Sequence, residues 1–106
     1  MKIEVECEPP ARAELLDLLS RRTTSVLDTL LFAGVYLDDL TRLFVAHEGD
    51  LPSAVQIQRA DGSRWWWRYV RGVWVSYVYS DSRTWLFGTT TRTVRVLGFS
   101  AAPPRP

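Results

Sequence analysis

The sixteen residues from Arg64 to Tyr79, RWWWRYVRGVWVSYVY, hold four of the chain's five tryptophans and are broken once, at Arg71-Gly72. Aromatic and β-branched side chains fit the pleated, half-buried surface of a strand. A glycine-bearing turn between two such runs reads as a β-hairpin. A chain carrying this stretch must build a sheet and must send its large aromatic surface either into a core or onto a binding face. The hairpin register decides which, because a slip of one residue exchanges the two faces.

Two registers are open. A two-residue turn at Arg71-Gly72 sets Trp66 opposite Tyr77 and Arg68 opposite Val75, placing arginine on the side of Val73, Val75, Tyr77 and Tyr79 and leaving neither face clean. A three-residue loop, Val70-Arg71-Gly72 with Gly72 left-handed, opposes 69 to 73, 67 to 75 and 65 to 77. One face then carries Trp65, Trp67, Tyr69, Val73, Val75 and Tyr77 without a charge. That face is the expected core, each aromatic burying roughly 150–250 Å².

In this second register the opposite face holds Arg64, Trp66, Arg68, Trp74, Ser76 and Val78, joined by Arg95 if Val94 and Val96 point inward. Arg64, Trp66, Arg68, Trp74, Ser76 and Arg95 are therefore the candidate binding residues. An exposed arginine over a tryptophan contributes only about 0.5–1 kcal/mol to a fold, whereas Trp and Arg are the types enriched where interfaces are anchored. The competing structural reading is that a helix or the N-terminal segment covers this face and the arginines extend to its rim.

The rest of the chain supplies the partners for that hairpin. Lys2 to Glu8 alternates strictly, with Ile3, Val5 and Cys7 on one side, as a half-buried strand does. Pro9 and Pro10 end it and suit a helix start. Leu15, Leu16, Leu18 and Leu19 then make a short amphipathic helix over 11–20. Thr23, Thr24 and Ser25 are candidate N-caps for a second helix whose apolar stripe runs Leu27, Leu30, Leu31, Gly34 and Leu37, with Leu40, Leu43 and Phe44 beyond. Gly34 costs that helix roughly 1 kcal/mol relative to alanine, so the helix is expected to about residue 37, with 41–47 either continuing it or forming a strand. After Gly49 come AVQIQR, SRWWWRYV, VWVSYVYS, RTWLFG and RTVRVLGF, punctuated by turn residues. The expectation is an α+β fold: an N-terminal strand, one or two helices, then a four- to five-stranded antiparallel meander with the helices on one face. Residues 1–100 form the expected single domain, and 101–106, AAPPRP, a disordered Pro-rich tail.

Composition narrows function less than architecture. Apolar residues make up 46% and charged residues 24%, as in ordinary globular proteins. The longest apolar run, Leu30–Leu37, is far short of a membrane span. No secretory leader is evident and Cys7 has no partner for a disulfide, so a cytoplasmic protein is expected. Net charge is only +1, but residues 1–50 carry ten acidic and five basic side chains (−5) and residues 51–106 two and eight (+6). Such asymmetry concerns partners.

Chemistry is poorly supplied. His47, Glu48 and Asp50 in AHEGD imitate an acid–base cluster, yet a lone histidine among turn carboxylates is common, and nothing has metal-ligand spacing. A Cys7 nucleophile needs His47 beside it in space. No phosphate-binding glycine motif is present. The expected function is a small non-enzymatic protein-binding module of the inhibitor, immunity or anti-defence kind. It needs no metal or cofactor and uses the Arg/Trp face together with an acidic helical side bearing Glu14, Asp17, Asp28, Asp38 and Asp39. A single-stranded nucleic-acid binder, stacking bases on Trp66 and Trp74 with Arg64, Arg68, Arg92 and Arg95 on phosphates, is the alternative. A small ribonuclease using His47 and Glu48 is the remote one. A homodimer through the sheet face is compatible with either binding role.

Overall fold

The computed structural model describes residues 1–86 and 88–103. Strand β1 (Lys2–Cys7) leads into helices α1 (Pro9–Ser20) and α2 (Val26–Ala46). Strands β2 (Val55–Gln58), β3 (Arg64–Val70), β4 (Val73–Thr84) and β5 (Thr89–Ser100) follow. The sheet order is β1-β5-β4-β3-β2. From β2 to β5 it is an antiparallel meander. Strand β1 closes it on the far side, parallel to β5, with Lys2 beside Thr91 and Cys7 beside Val96. A parallel pair needs a long crossover; here both helices and three strands intervene. The architecture is α+β, as the residue pattern implied.

Local chemistry sets the helix ends. Pro9 and Pro10 occupy the first two positions of α1, where the missing N–H groups would have lacked partners anyway. Ser25 caps α2, its hydroxyl accepting from the Asp28 N–H at 3.1 Å. At the other end α2 runs through 41–46, so the ambiguous stretch is helix. It closes with Glu48 and Gly49 both at positive φ. The Gly49 N–H donates to Phe44 O and the Glu48 N–H to Val45 O, satisfying the last carbonyls in a Schellman arrangement. Gly49 also lies against the sheet: a Cβ there would stand 2.8 Å from Arg92 Cδ and 3.2 Å from Val94 Cγ2. Alanine would therefore crowd β5 as well as strain the turn.

The hairpin register is the one that left neither face clean. Trp66 pairs with Tyr77, Arg68 with Val75 and Val70 with Val73, so the turn is Arg71-Gly72 alone. Both residues have positive φ, 48° and 87°, the signature of a type I′ turn, whose twist matches that of the flanking strands. Left-handed backbone at a residue like Arg71 is strained by about 1 kcal/mol, but the turn is held from outside. Arg71 pairs with Asp39 of α2 at 2.7 Å, and Arg22 donates to Gly72 O.

The core lies between the helices and one face of the sheet. It contains Ala11, Leu15, Leu19, Ala33, Tyr36, Leu40 and Phe44 against Val70, Val73, Val75, Tyr77, Val94, Val96 and Phe99, with Leu51 filling in from the loop after α2. Phe44 meets Tyr77, and Tyr36 meets Phe99, edge to face. The face of α2 that enters this core is Thr29, Ala33, Tyr36, Leu40 and Phe44. It is not the leucine stripe the sequence suggested: Leu27, Leu30 and Leu31 point away and are more than half exposed. The first three turns of α2 are apolar nearly all round, so periodicity could not choose between sides.

The segment RTWLFG, expected as a strand, is the end of β4 and the tip of the β4–β5 hairpin. Trp85 is 86% exposed there, and Phe87 lies outside the described residues. Of the expected disordered tail over 101–106, residues 101–103 carry no regular structure, and Pro104, Arg105 and Pro106 lie outside the described residues. Among the described residues no helix is long and apolar enough to cross a membrane.

Two buried phenols couple this core to pH. Burial raises the pKa of both Tyr36 and Tyr77 well above the usual tyrosine value. Stability is then complete below the unfolded tyrosine pKa of about 10 and falls as pH rises beyond it. Denaturant midpoints are expected to be flat from neutrality to that point and to drop above it. The Tyr36 hydroxyl also donates to Val70 O at 2.9 Å inside the core. Tyr36→Phe, which removes that bond, should cost about 0.5–1.5 kcal/mol at neutral pH in the same measurement.

Candidate binding face of the sheet

Both helices pack on one face of the sheet, so the side chains between the core positions emerge on the other. On β4 these are Trp74, Ser76 and Val78, alternating with core residues Val73, Val75 and Tyr77. Across the hairpin Trp74 pairs with Tyr69 and Ser76 with Trp67. One strand further, Trp67 pairs with Val55 and Trp65 with Ile57. Directly paired residues share a face. The outer surface of β2, β3 and β4 is thus one aromatic–aliphatic field: Val55, Ile57, Trp65, Trp67, Tyr69 and Trp74. Tyr69 and Val55 are about half exposed, and Trp65, Trp67 and Trp74 are half-buried. Tyr69 and Trp74 meet edge to face with ring centroids 5.5 Å apart. The Arg59 guanidinium lies 4.0 Å from the Trp65 ring centre. Toward β5 and β1 the surface turns polar through Ser80, Thr93, Arg95, Glu6 and Glu4.

The candidate residues taken from the sequence divide between the two sides. Trp74, Ser76 and Arg95 emerge on the outer face. Ser76 is buried there and its hydroxyl donates to Gly98 O, so it is a structural contact. Arg95 approaches Glu8 at 3.9 Å. Arg64, Trp66 and Arg68 lie on the helix side. Trp66 packs on the core edge and stacks on Tyr79. Arg68 donates to the carbonyls of Pro52 and Tyr69, its charge reaching the rim while its stem covers apolar surface. On the outer face their places are taken by Trp65, Trp67 and Tyr69, the residues that the three-residue loop sends to the core. The signal that identifies them is Arg71-Gly72 read as a two-residue type I′ turn.

The acidic helical side is largely neutralised by its own neighbours. Asp17 pairs with Arg21, Asp38 with Arg42 and Asp39 with Arg71. Near the β4–β5 hairpin Arg92 is held by both carboxylate oxygens of Asp81, donates to Glu48 O and lies over the Tyr79 ring. These bonds hold the Asp81 carboxyl below the ordinary carboxylate range.

His47 is the exposed C-cap of α2. Among the described residues no three His, Cys, Asp or Glu side chains come together as a metal site. Burial raises the Cys7 pKa, the opposite of nucleophile activation. Two open depressions, about 210 Å³ at Val78, Ser80, Thr93 and Arg95 and about 230 Å³ beside the α1–α2 turn, fall short of the roughly 300–1,000 Å³ of small-molecule sites.

Comparison with protein families, with curated proteins and with solved structures finds no match to this chain. Fold and function therefore rest on its own residues. A direct check on the thiol is its alkylation rate: Cys7 of the folded protein should react with iodoacetamide at pH 8 several times more slowly than in urea. An equal or faster folded-state rate would point to an activated cysteine.

Proposed function

We propose that this chain is a small, non-enzymatic protein-binding domain of the cytoplasm, acting as an inhibitor or immunity-type protein does, through the outer face of its sheet. The observation that carries the reading is the field of Trp65, Trp67, Tyr69 and Trp74 on the side of the sheet opposite both helices. A fold gains little from large aromatics on a surface facing water. A partner gains much, since buried Trp and Tyr dominate binding energy at interfaces. Arg59 beside Trp65 and Arg95 on the polar margin supply charges for orientation and on-rate.

The nucleic-acid reading has less support. Of the arginines it requires, Arg64 and Arg68 belong to the helix side and Arg92 is occupied by Asp81 and Glu48 O. Of the four, only Arg95 emerges on the outer side, on the polar margin where Glu4, Glu6 and Glu8 would repel phosphates, and Arg59 beside Trp65 is the arginine within the aromatic field.

The test uses the folded chain as bait, alongside Trp67→Ala and Trp74→Ala with unchanged circular dichroism, and then titrates the captured protein in purified form. Loss of an anchor worth about 2 kcal/mol weakens affinity about thirtyfold, and the wild-type interaction should survive added salt. Retention of single-stranded oligonucleotide with steep salt dependence, or equal binding by both variants, would overturn the reading.

A further inference from the structure

The outward side of α2 is a second apolar surface, separate from the sheet face. Val26, Leu27, Leu30, Leu31, Phe32 and Val35 are each more than half exposed within ten consecutive residues. On a helix of 3.6 residues per turn, Leu27, Leu30, Leu31 and Val35 fall on one side with Gly34 among them. Together they open several hundred Å² of contiguous apolar surface, at the upper end of what a monomer leaves to water. Gly34 is unexplained by the chain itself: a Cβ there would meet nothing within 4 Å, and its φ is not positive. A residue that weakens a helix and touches nothing has its use where another backbone comes close.

We propose that α2 packs against α2 of a second copy of this chain, antiparallel about a two-fold axis near Leu31, with Gly34 admitting the partner helix. Charge selects both the occupant and the direction. Along the same line of the helix the apolar residues give way to Asp38 and Arg42. A parallel pair would oppose Asp38 to its own copy. An antiparallel pair lays residues 26–35 on residues 26–35, sets Leu27 against Val35, and carries the exposed Asp38–Arg42 pair of one helix over the SRRTTS turn, residues 20–25, that precedes the other, where Asp38 can exchange Arg42 for the exposed Arg21 that pairs with Asp17 in the single chain. It also opposes the helix dipoles favourably. The apolar patch forms the centre, and the polar turn and the Asp38–Arg42 end form the rim, of that interface. The sheet faces stay open, so the dimer presents two aromatic fields.

The experiment is light scattering after size exclusion, over about a hundredfold range of protein concentration because dimerisation follows mass action. Circular dichroism confirms folding of each sample. Wild type is expected at twice the 12.2 kDa of the chain, Leu31→Glu and Gly34→Leu as folded monomers, and Trp74→Ala as a dimer. Gly34→Leu keeps the inference testable if Leu31→Glu fails to fold, since open space surrounds that position in the single chain. A folded wild-type monomer at every concentration overturns it. So does a dimer lost in Trp74→Ala but kept in Leu31→Glu, or a monomer that floats with anionic lipid vesicles through Leu31. Partner capture by the sheet face is read separately with the Trp67 and Trp74 variants, so either reading can fail alone.

Discussion

The Arg71-Gly72 turn is the constraint on which the rest depends. Two residues in left-handed backbone fix the β3–β4 pairing, and that pairing decides the side of the sheet on which each of the hairpin's seven aromatic side chains emerges. The helices then ratify the choice. Asp39 of α2 holds Arg71, Arg22 after α1 holds Gly72 O, and the Tyr36 hydroxyl holds Val70 O at the base of the turn. Three contacts from two helices converge on one corner of the sheet, so the layer that buries the core also enforces the register that leaves the tryptophans outside.

Much of the architecture was legible from residues. Strict alternation located β1, the proline pair and the Ser25 cap located the helices, and glycine-punctuated aromatic runs located the meander. What misled was a rule about charge: that a face carrying arginines is not a core face. Arg68 and Arg92 break it because each lies where the core runs out. Their stems cover apolar side chains, and backbone carbonyls at Pro52, Tyr69 and Glu48 receive their guanidinium groups. Local sequence does not show where along a strand a core ends, since that edge is drawn by the loop bearing Leu51 and by the length of α2. Of the residues on the outer face, the sequence pattern places Trp74, Ser76 and Arg95 there, whereas the same one-residue slip sends Trp65, Trp67 and Tyr69 to the other side.

The second helix illustrates a different limit. A period identifies the buried side of a helix only when the other side is polar. Over residues 26–35 both sides are apolar, and the side that enters the core contains Thr29, whose hydroxyl is satisfied by Ser25 O and Thr23. Leucine went outward and threonine inward, an inversion of ordinary preference that a monomer alone gives no reason for. The two uncovered surfaces, one aromatic and one aliphatic, belong to opposite layers of the molecule, so occupation of one does not block the other.

The position of β1 bears on how the chain reaches this state. Of the five strands it is made first, and β5, the strand it pairs with, is made last. During synthesis, at about 5–20 residues per second, the first strand and both helices must wait while the meander is made, with the buried sides of α1 and α2 still uncovered. The hairpins can close locally; the sheet cannot be completed until the final strand is available. Folding of this chain is therefore gated by its C-terminal strand, and a nascent chain lacking β5 is the species most exposed to non-native association.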